Sequence, residues 1–369
     1  METLVIIGSF LWLALILVPW RPWSTRERLE SADEPAECDL SDVTVIVPAR
    51  NEAAVIARTL SALGDQGWDL HVVLVDDQSS DETVSIARST LTTGLQVVQG
   101  KPLPPGWTGK LWALEQGWRN TNTELVLLLD ADIELEPRMI GTLKQKLIVE
   151  QVDLVSIMAW LRMETFWEKL LSPAFIYFFK LLYPFSIGNN PNSNFGVAAG
   201  GCVLVRSDAL RRIGAFASIR SAIIDDCSLA GKVKRSGGRT WTGLSHSVRS
   251  RRPSVRLSSF FEMVERTAFT QLHYSTLLLL ATTFLMLLAF WSPWAGFLSS
   301  SLAVKGFSLV GAGAMLSSYL PTLRYYRRSI LWAPMLPLIG GLYLLMTWSS
   351  ALRYWRGTRS QWKGRIYGR

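Results

Sequence analysis

The chain has 369 residues, a net charge of +8 and 49% hydrophobic residues, with a mean hydropathy of +0.20. That length allows two domains, or one domain with membrane spans. Three separated cysteines (Cys38, Cys202, Cys227) without a C-x-x-C, and three scattered histidines, argue against a disulfide framework and a zinc site.

The apolar excess sits in the first 20 residues and beyond residue 275. Residues 4–20 form an uncharged apolar run followed by Trp20, Trp23, Arg21, Arg26 and Arg28. We read residues 1–23 as a retained membrane anchor with its C-terminal side in the cytoplasm. The absence of a basic stretch before the run argues against a cleaved signal. Residues 24–41 are polar and acidic, a linker.

VTVIVPARNE at 43–52 reads as a buried strand turning into a helix. A helical pattern follows to Leu63, ending near Gly64. HVVLVDDQSSDET at 71–83 is a second strand that ends in Asp76 and Asp77, with caps for a helix through Arg88. Leu95–Gln99 is a third strand. KPLPPGWTGKLWALEQG at 101–117 is a loop and then a helix opening near Lys110. Lys110 either contacts a phosphate from that helix start or is a solvated lysine. LVLLLDAD at 125–132 is a fourth strand, with Asp130 and Asp132 leaving its C-terminal edge side by side. Two such carboxylates either hold a hard divalent cation, Mg or Mn, that bridges to phosphate, or are a strand running into an acidic turn. The alternation of strands and helices predicts an α/β, doubly wound, parallel sheet, whose strand ends are where ligands bind. Neither G-x-G-x-x-G nor a P-loop is present.

A helix and another strand fill 139–160. Residues 164–187 are rich in aromatics and read either as an amphipathic helix at a membrane surface or as core packing. VAAGGCVLVR at 197–206 places Gly200 and Gly201 in a strand, where glycine allows close approach. Asp225 and Asp226 open a helix, as caps or as a general base. Arg249, Arg251, Arg252 and Arg256 form a basic stretch, either neutralising a diphosphate or lipid phosphates or lying on a solvated face. Three apolar segments follow, at 275–291, 295–317 and 330–348. The basic residues around 324–328 and in the tail, 351–369, satisfy no simple three-span arrangement, so 295–317 is expected to be re-entrant or interfacial. The acidic strand edge argues against nucleic acid as a partner.

VPARNE, LVDDQSSD, GWTGKLWA, LLLDAD, AAGGCVLV and IDDCSLA, in this order, resemble the family 2 glycosyltransferases with a GT-A fold. The group nearest in these motifs is associated with hopanoid biosynthesis in bacteria, with ceramide and carotenoid glycosyltransferases more distant. The resemblance implies a Rossmann-like, mostly parallel sheet over 42–274, with membrane segments before it and at 275–350, on the bacterial inner (cytoplasmic) membrane. It implies a donor site of Pro48, Arg50, Glu52, Asp76, Asp77, Lys110, Asp130, Gly200 and Gly201. Asp130 and Asp132 would hold the metal, Asp132 more directly. Asp226 would be the general base, with Asp225 where the family has Glu. The Q-x-x-R-W motif is not intact: Arg266 can match its arginine, but Met263 and Thr267 replace Gln and Trp. The implied activity is inverting transfer of sugar from a nucleotide-diphosphate sugar, such as a UDP-sugar, to a lipid hydroxyl. A processive polysaccharide synthase and a non-catalytic tethered nucleotide-sugar-binding protein are the alternatives.

Overall fold

A computed structural model describes residues 1–32, 38–254 and 256–357, and the backbone of 361–362 and 365–366. Part of the 24–41 linker, and Arg359 and Lys363 of the tail, lie outside the described residues. The chain divides into two compact units. One comprises residues 27–162, 187–253 and 360–369; the other comprises 1–26, 163–186 and 254–359.

The chain opens on α1 (Glu2–Leu17) and enters the first unit, which alternates strands and helices. In order these are β1 (Val43–Ala49), α2 (Ile56–Gly64), β2 (His71–Asp76), α3 (Thr83–Thr90), β3 (Leu95–Gln99) and α4 (Gly109–Trp118). Then come β4 (Leu125–Leu129), β5 (Ile133–Leu135), α5 (Met139–Val149) and β6 (Leu154–Trp160). After α6 (Phe166–Leu182) and α7 (Phe185–Asn189) the unit resumes with β7 (Cys202–Arg206), α8 (Ser207–Ile213), α9 (Asp225–Arg235) and β8 (Thr240–Ser250).

The eight strands form one sheet in the order β3-β2-β1-β4-β7-β6-β8-β5. The pairs β3–β2, β2–β1, β1–β4 and β6–β8 are parallel; β4–β7, β7–β6 and β8–β5 are antiparallel. The sheet is therefore mixed, with β7 and β5 running against the other six. Strand periodicity explains its two cores. Val43, Val45, Val47, Leu125, Leu127 and Leu129 pack toward α2 and α5. Ile46, Val73, Val75, Val126 and Leu128 pack on the opposite face with Leu111, Leu114, Phe216 and Leu229. Burial on both faces is why these strands read as continuous apolar runs. Gly117 lets α4 lie against that second face: a Cβ there would meet Ile46 Cγ2 at 2.4 Å.

The second unit is helical. Its remaining helices are α10 (Leu257–Glu265), α11 (Ala268–Gln271), α12 (Thr276–Ala295), α13 (Leu302–Tyr325) and α14 (Leu336–Trp355). Its core joins Trp12, Leu171, Tyr177, Phe260, Phe290, Met315, Tyr319 and Tyr343. Polar ties cross it: Tyr177 and Ser318 share a hydroxyl bond of 2.7 Å, and Tyr343 donates to the Leu171 carbonyl at 3.0 Å. Glu265 accepts from Ser349, and from Arg353 at 2.7 Å.

Two segments, Thr276–Leu298 and Ile330–Trp355, are long and apolar enough to cross a membrane. The N-terminal expectation needs correcting. α1 has 16 residues, about 24 Å at the usual rise, short of a typical hydrocarbon core. The segment expected to be re-entrant or interfacial, 295–317, is not one of these two. Residues 302–325 form one uninterrupted helix, capped by Ser301 and packed on α1, where a Cβ on Gly311 would meet Ser9. The contact boundaries also depart from the expected 42–274 domain. Residues 163–186 and 254–274 belong to the helical unit, because apolar residues such as Leu170, Leu171 and Phe260 pack in its core.

Candidate active site

Strand direction places β1, β2 and β4 with their C-terminal ends at one edge. Pro48 lies in β1, and Arg50 follows it. Asp76 ends β2; its carboxylate accepts from the Ser79 N–H at 3.1 Å and from Gln99 at 3.3 Å. Asp77 is buried, its N–H donates to the Ala49 carbonyl at 2.8 Å, and the Arg50 guanidinium lies 3.9 Å from its carboxylate. Asn51 and Gln78, just past these strand ends, have φ of 52° and 59°. Such left-handed residues are uncommon outside glycine and gather at ligand-binding turns. The Asn51 side chain fixes this turn by accepting from the Ser80 N–H at 2.8 Å.

Asp130 and Asp132 leave the end of β4 as expected, but each meets a different cation. Lys110, in the first turn of α4, reaches Asp130 at 2.8 Å, Asp225 at 3.5 Å and the Gly200 carbonyl at 3.4 Å. It is therefore no solvated lysine. Burial alone would lower its pKa, but Asp130, Asp225 and Asp226 outweigh burial and hold it above the ordinary lysine range. Burial pushes Asp130 up, and Lys110 only partly offsets this. Asp132 accepts from Ser250 Oγ at 2.7 Å and from Arg252 at 3.2 Å; Arg252 also donates to the buried Glu52 at 2.9 Å.

Gly200 and Gly201 lie just before β7, where a strand is expected, because the ladder to β4 begins at Cys202. Their placement still gives close approach. A Cβ on Gly200 would lie 3.3 Å from Asp226 Oδ2 and 3.4 Å from Lys110 Nζ. Asp225 and Asp226 form the first turn of α9, and Asp226 accepts its neighbour Cys227's N–H at 2.7 Å. Burial, with the adjacent Asp225 charge, pushes the Asp226 carboxyl up to about 7. Pro48, Lys110, Asp130, Gly200, Asp225 and Asp226 line one pocket, floored by apolar residues including Leu128 and Phe216.

Arg266 caps the end of α10 in the helical unit. Local sequence gives no sign that Arg252 and Ser250 converge on Asp132, because β8 mixes apolar and polar residues. Alternation along its end separates two pairs: Arg249 and Arg251 engage Glu136 and Glu134, while Ser250 and Arg252 turn to Asp132.

Residues 44–214 match the family model described as "Glycosyl transferase family 2". A 4,4'-diaponeurosporenoate glycosyltransferase of Staphylococcus haemolyticus is 33% identical over 113 residues, 30% of this chain and 29% of that protein. Its Staphylococcus aureus counterpart is 36% identical over 94 residues, 25% of this chain and 24% of that protein. The alignments thus span under a third of these relatives' length. A mannosyltransferase of Pyrobaculum calidifontis, solved with GDP-Man and Mn2+, has the same fold with a TM-score of 0.57. It is 21% identical, over 95% of this chain and 98% of that one. The mixed sheet is GT-A-like, and the stretch at 44–214, under half of the chain, is similar to the family 2 glycosyltransferases.

Proposed function

We propose that the chain is a membrane-associated inverting glycosyltransferase that moves a sugar from a nucleotide-diphosphate sugar to a hydroxyl of a lipid acceptor. The observation that carries this reading is the Asp226 carboxyl, half-buried close to Gly200 and Lys110 in one pocket with Asp130. A carboxyl pushed toward neutrality is matched to taking a proton near physiological pH.

The nucleotide lies over the ends of β1 and β2, with Asp76 and Asp77 toward base and ribose and Pro48, Arg50 and Glu52 shaping the wall. Asp226 accepts the acceptor's hydroxyl proton as its oxygen bonds to the anomeric carbon. The bond from that carbon to the diphosphate breaks on the opposite face, inverting the centre. The nucleoside diphosphate leaves with the bonding electrons. Lys110 holds Asp225 and Asp130 in place beside the base.

Among the described residues no group of three or more His, Cys, Asp or Glu could hold a metal. Asp130 and Asp132 would hold Mg2+ or Mn2+ only together with donor phosphates, the usual mode for such hard cations. When bound there, the cation offsets charge on the departing diphosphate. The structural relative binds GDP-Man with Mn2+, which supports this donor class.

The acceptor is assigned by class. The two apolar helices and the carotenoid-directed relatives favour a membrane polyisoprenoid, a class that includes the hopanoids implied by the motifs. On this reading the α/β unit faces the cytoplasm at the bacterial inner membrane. The test is transfer in detergent-solubilised membranes with panels of UDP- and GDP-sugars, bacterial lipids and Mn2+ or Mg2+. A glycolipid formed by the native chain, and absent with Asp132→Ala and with Asp226→Asn, supports the reading. Consumption of no donor by the native chain overturns it.

A further inference from the structure

We infer that Arg252 is a donor-diphosphate residue that Asp132 and Glu52 hold until a divalent cation takes Asp132. This rests on the glycosyltransferase reading of the site.

The arrangement at Asp132 is asymmetric. The carboxylates are buried, while the arginine that bridges them is the exposed partner. Side-chain exposure is 43% for Arg252, against 6% for Glu52 and 9% for Asp132. Asp132 is anchored by the Ser250 hydroxyl, and its carbonyl accepts from the Arg251 N–H at 2.8 Å. One guanidinium nitrogen, Nη2, serves both acids. If a cation takes the Asp132 oxygen, Glu52 still keeps Arg252 at the strand edge. Its N–H groups freed from Asp132 would then be available to a donor phosphate.

The chemistry of the guanidinium fits those ligands. Its planar fork matches phosphate as well as carboxylate, and it stays charged at any working pH. The position also fits. Arg252 leaves the end of β8 beside the acid proposed to hold the metal, one residue before the 187–253 stretch of the α/β unit ends. The arginine that could match Q-x-x-R-W, Arg266, belongs to the helical unit. Its neighbours Met263 and Thr267 break that motif. Arg252 supplies a phosphate-binding cation from within the α/β unit itself.

Arg252 and a metal then compete for Asp132, and Arg252 cooperates with the metal once a diphosphate is present. Removing Arg252 should move the two affinities in opposite directions. The experiment uses the full chain in detergent, native and Arg252→Gln. Mn2+ binding is followed by electron paramagnetic resonance without nucleotide, and UDP and GDP binding by calorimetry with saturating Mn2+. The variant should bind Mn2+ alone about tenfold more tightly and the diphosphate about tenfold more weakly, within the usual range for coupled sites. Uridine and guanosine should bind unchanged. Arg252→Lys, which keeps charge without the fork, should fall between. Arg249→Gln removes another β8-end arginine and should move neither affinity; melting curves check that all variants fold. If Arg252→Gln shifts both affinities the same way, or neither, the inference is overturned while the reading of the site stands. If the native chain binds neither nucleotide diphosphate, with or without Mn2+, the glycosyltransferase reading falls as well.

Discussion

The two units bury charge and polarity for different ends. In the helical unit, some buried polar groups tie helices together across the core. Tyr177 meets Ser318, and Glu265 meets Ser349 and Arg353. In the α/β unit they crowd instead. Glu52, Asp130, Asp132, Asp225 and Asp226 share Lys110 and Arg252 at one sheet edge. Carboxylates outnumber cations there, and desolvation, with the adjacent Asp225 charge, pushes the Asp226 carboxyl up to about 7. A paired group stabilises a fold; an under-paired acid costs stability and is available for chemistry.

The comparison breaks most visibly at Asp226. Asp226→Asn should lower kcat by about 10²–10⁴-fold, the usual worth of a general base, while nucleotide affinity in a titration stays unchanged. The same variant should melt at a higher temperature at pH 8. An unperturbed Asp titrates near 3.9, and burial raises this one to about 7. Between those values the folded chain binds the extra proton, so stability falls as pH rises through the window. The advantage of Asn should therefore vanish near pH 4. A variant that melts lower at pH 8 would sink the under-paired account.

Native activity should rise with pH and reach half its plateau near 7, as Asp226 loses its proton. A profile flat from pH 5.5 to 8 in kcat/KM would remove Asp226 as the base.

Gly200→Ala sharpens the comparison by geometry. The added carbon meets Asp226 and Lys110 at 3.3–3.4 Å, so both must yield by a few tenths of an ångström. Misplacement on that scale should cost about tenfold to a hundredfold in kcat, with the melting temperature little changed. Equal kcat in the two proteins would mean that the pocket is softer than its packing indicates.

The smallest effect lies in the helical unit. Tyr177→Phe leaves the Ser318 hydroxyl without this partner and should cost about 1 kcal/mol, read as a small loss in thermal stability. Nucleotide binding should be unaltered. A change in diphosphate affinity would contradict the division of labour.

Local pattern made much of this legible. Continuous apolar runs such as LVLLL and VIV marked strands buried on both faces, and their carboxylate ends marked the ligand edge. Strand period predicted Asp130 and Asp132 side by side; in the structure they lie in the turn between β4 and β5. It could not assign their partners, because Lys110 comes from a helix 20 residues earlier and Arg252 from a strand 120 residues later than Asp132. β8 escaped notice because its apolar and polar residues mix, and the two antiparallel strands escaped because direction is set by pairing rather than by residue type.

What the sequence determined by itself is therefore the set of elements and the chemistry at their ends, since hydrophobic period and strand-end residues are local properties. The tertiary structure decided which cation serves which carboxylate, which acid stays under-paired, and that residues 163–186 and 254–274 pack with the helical unit. Those outcomes depend on burial and on distances between residues far apart in the chain, and no local pattern contains them.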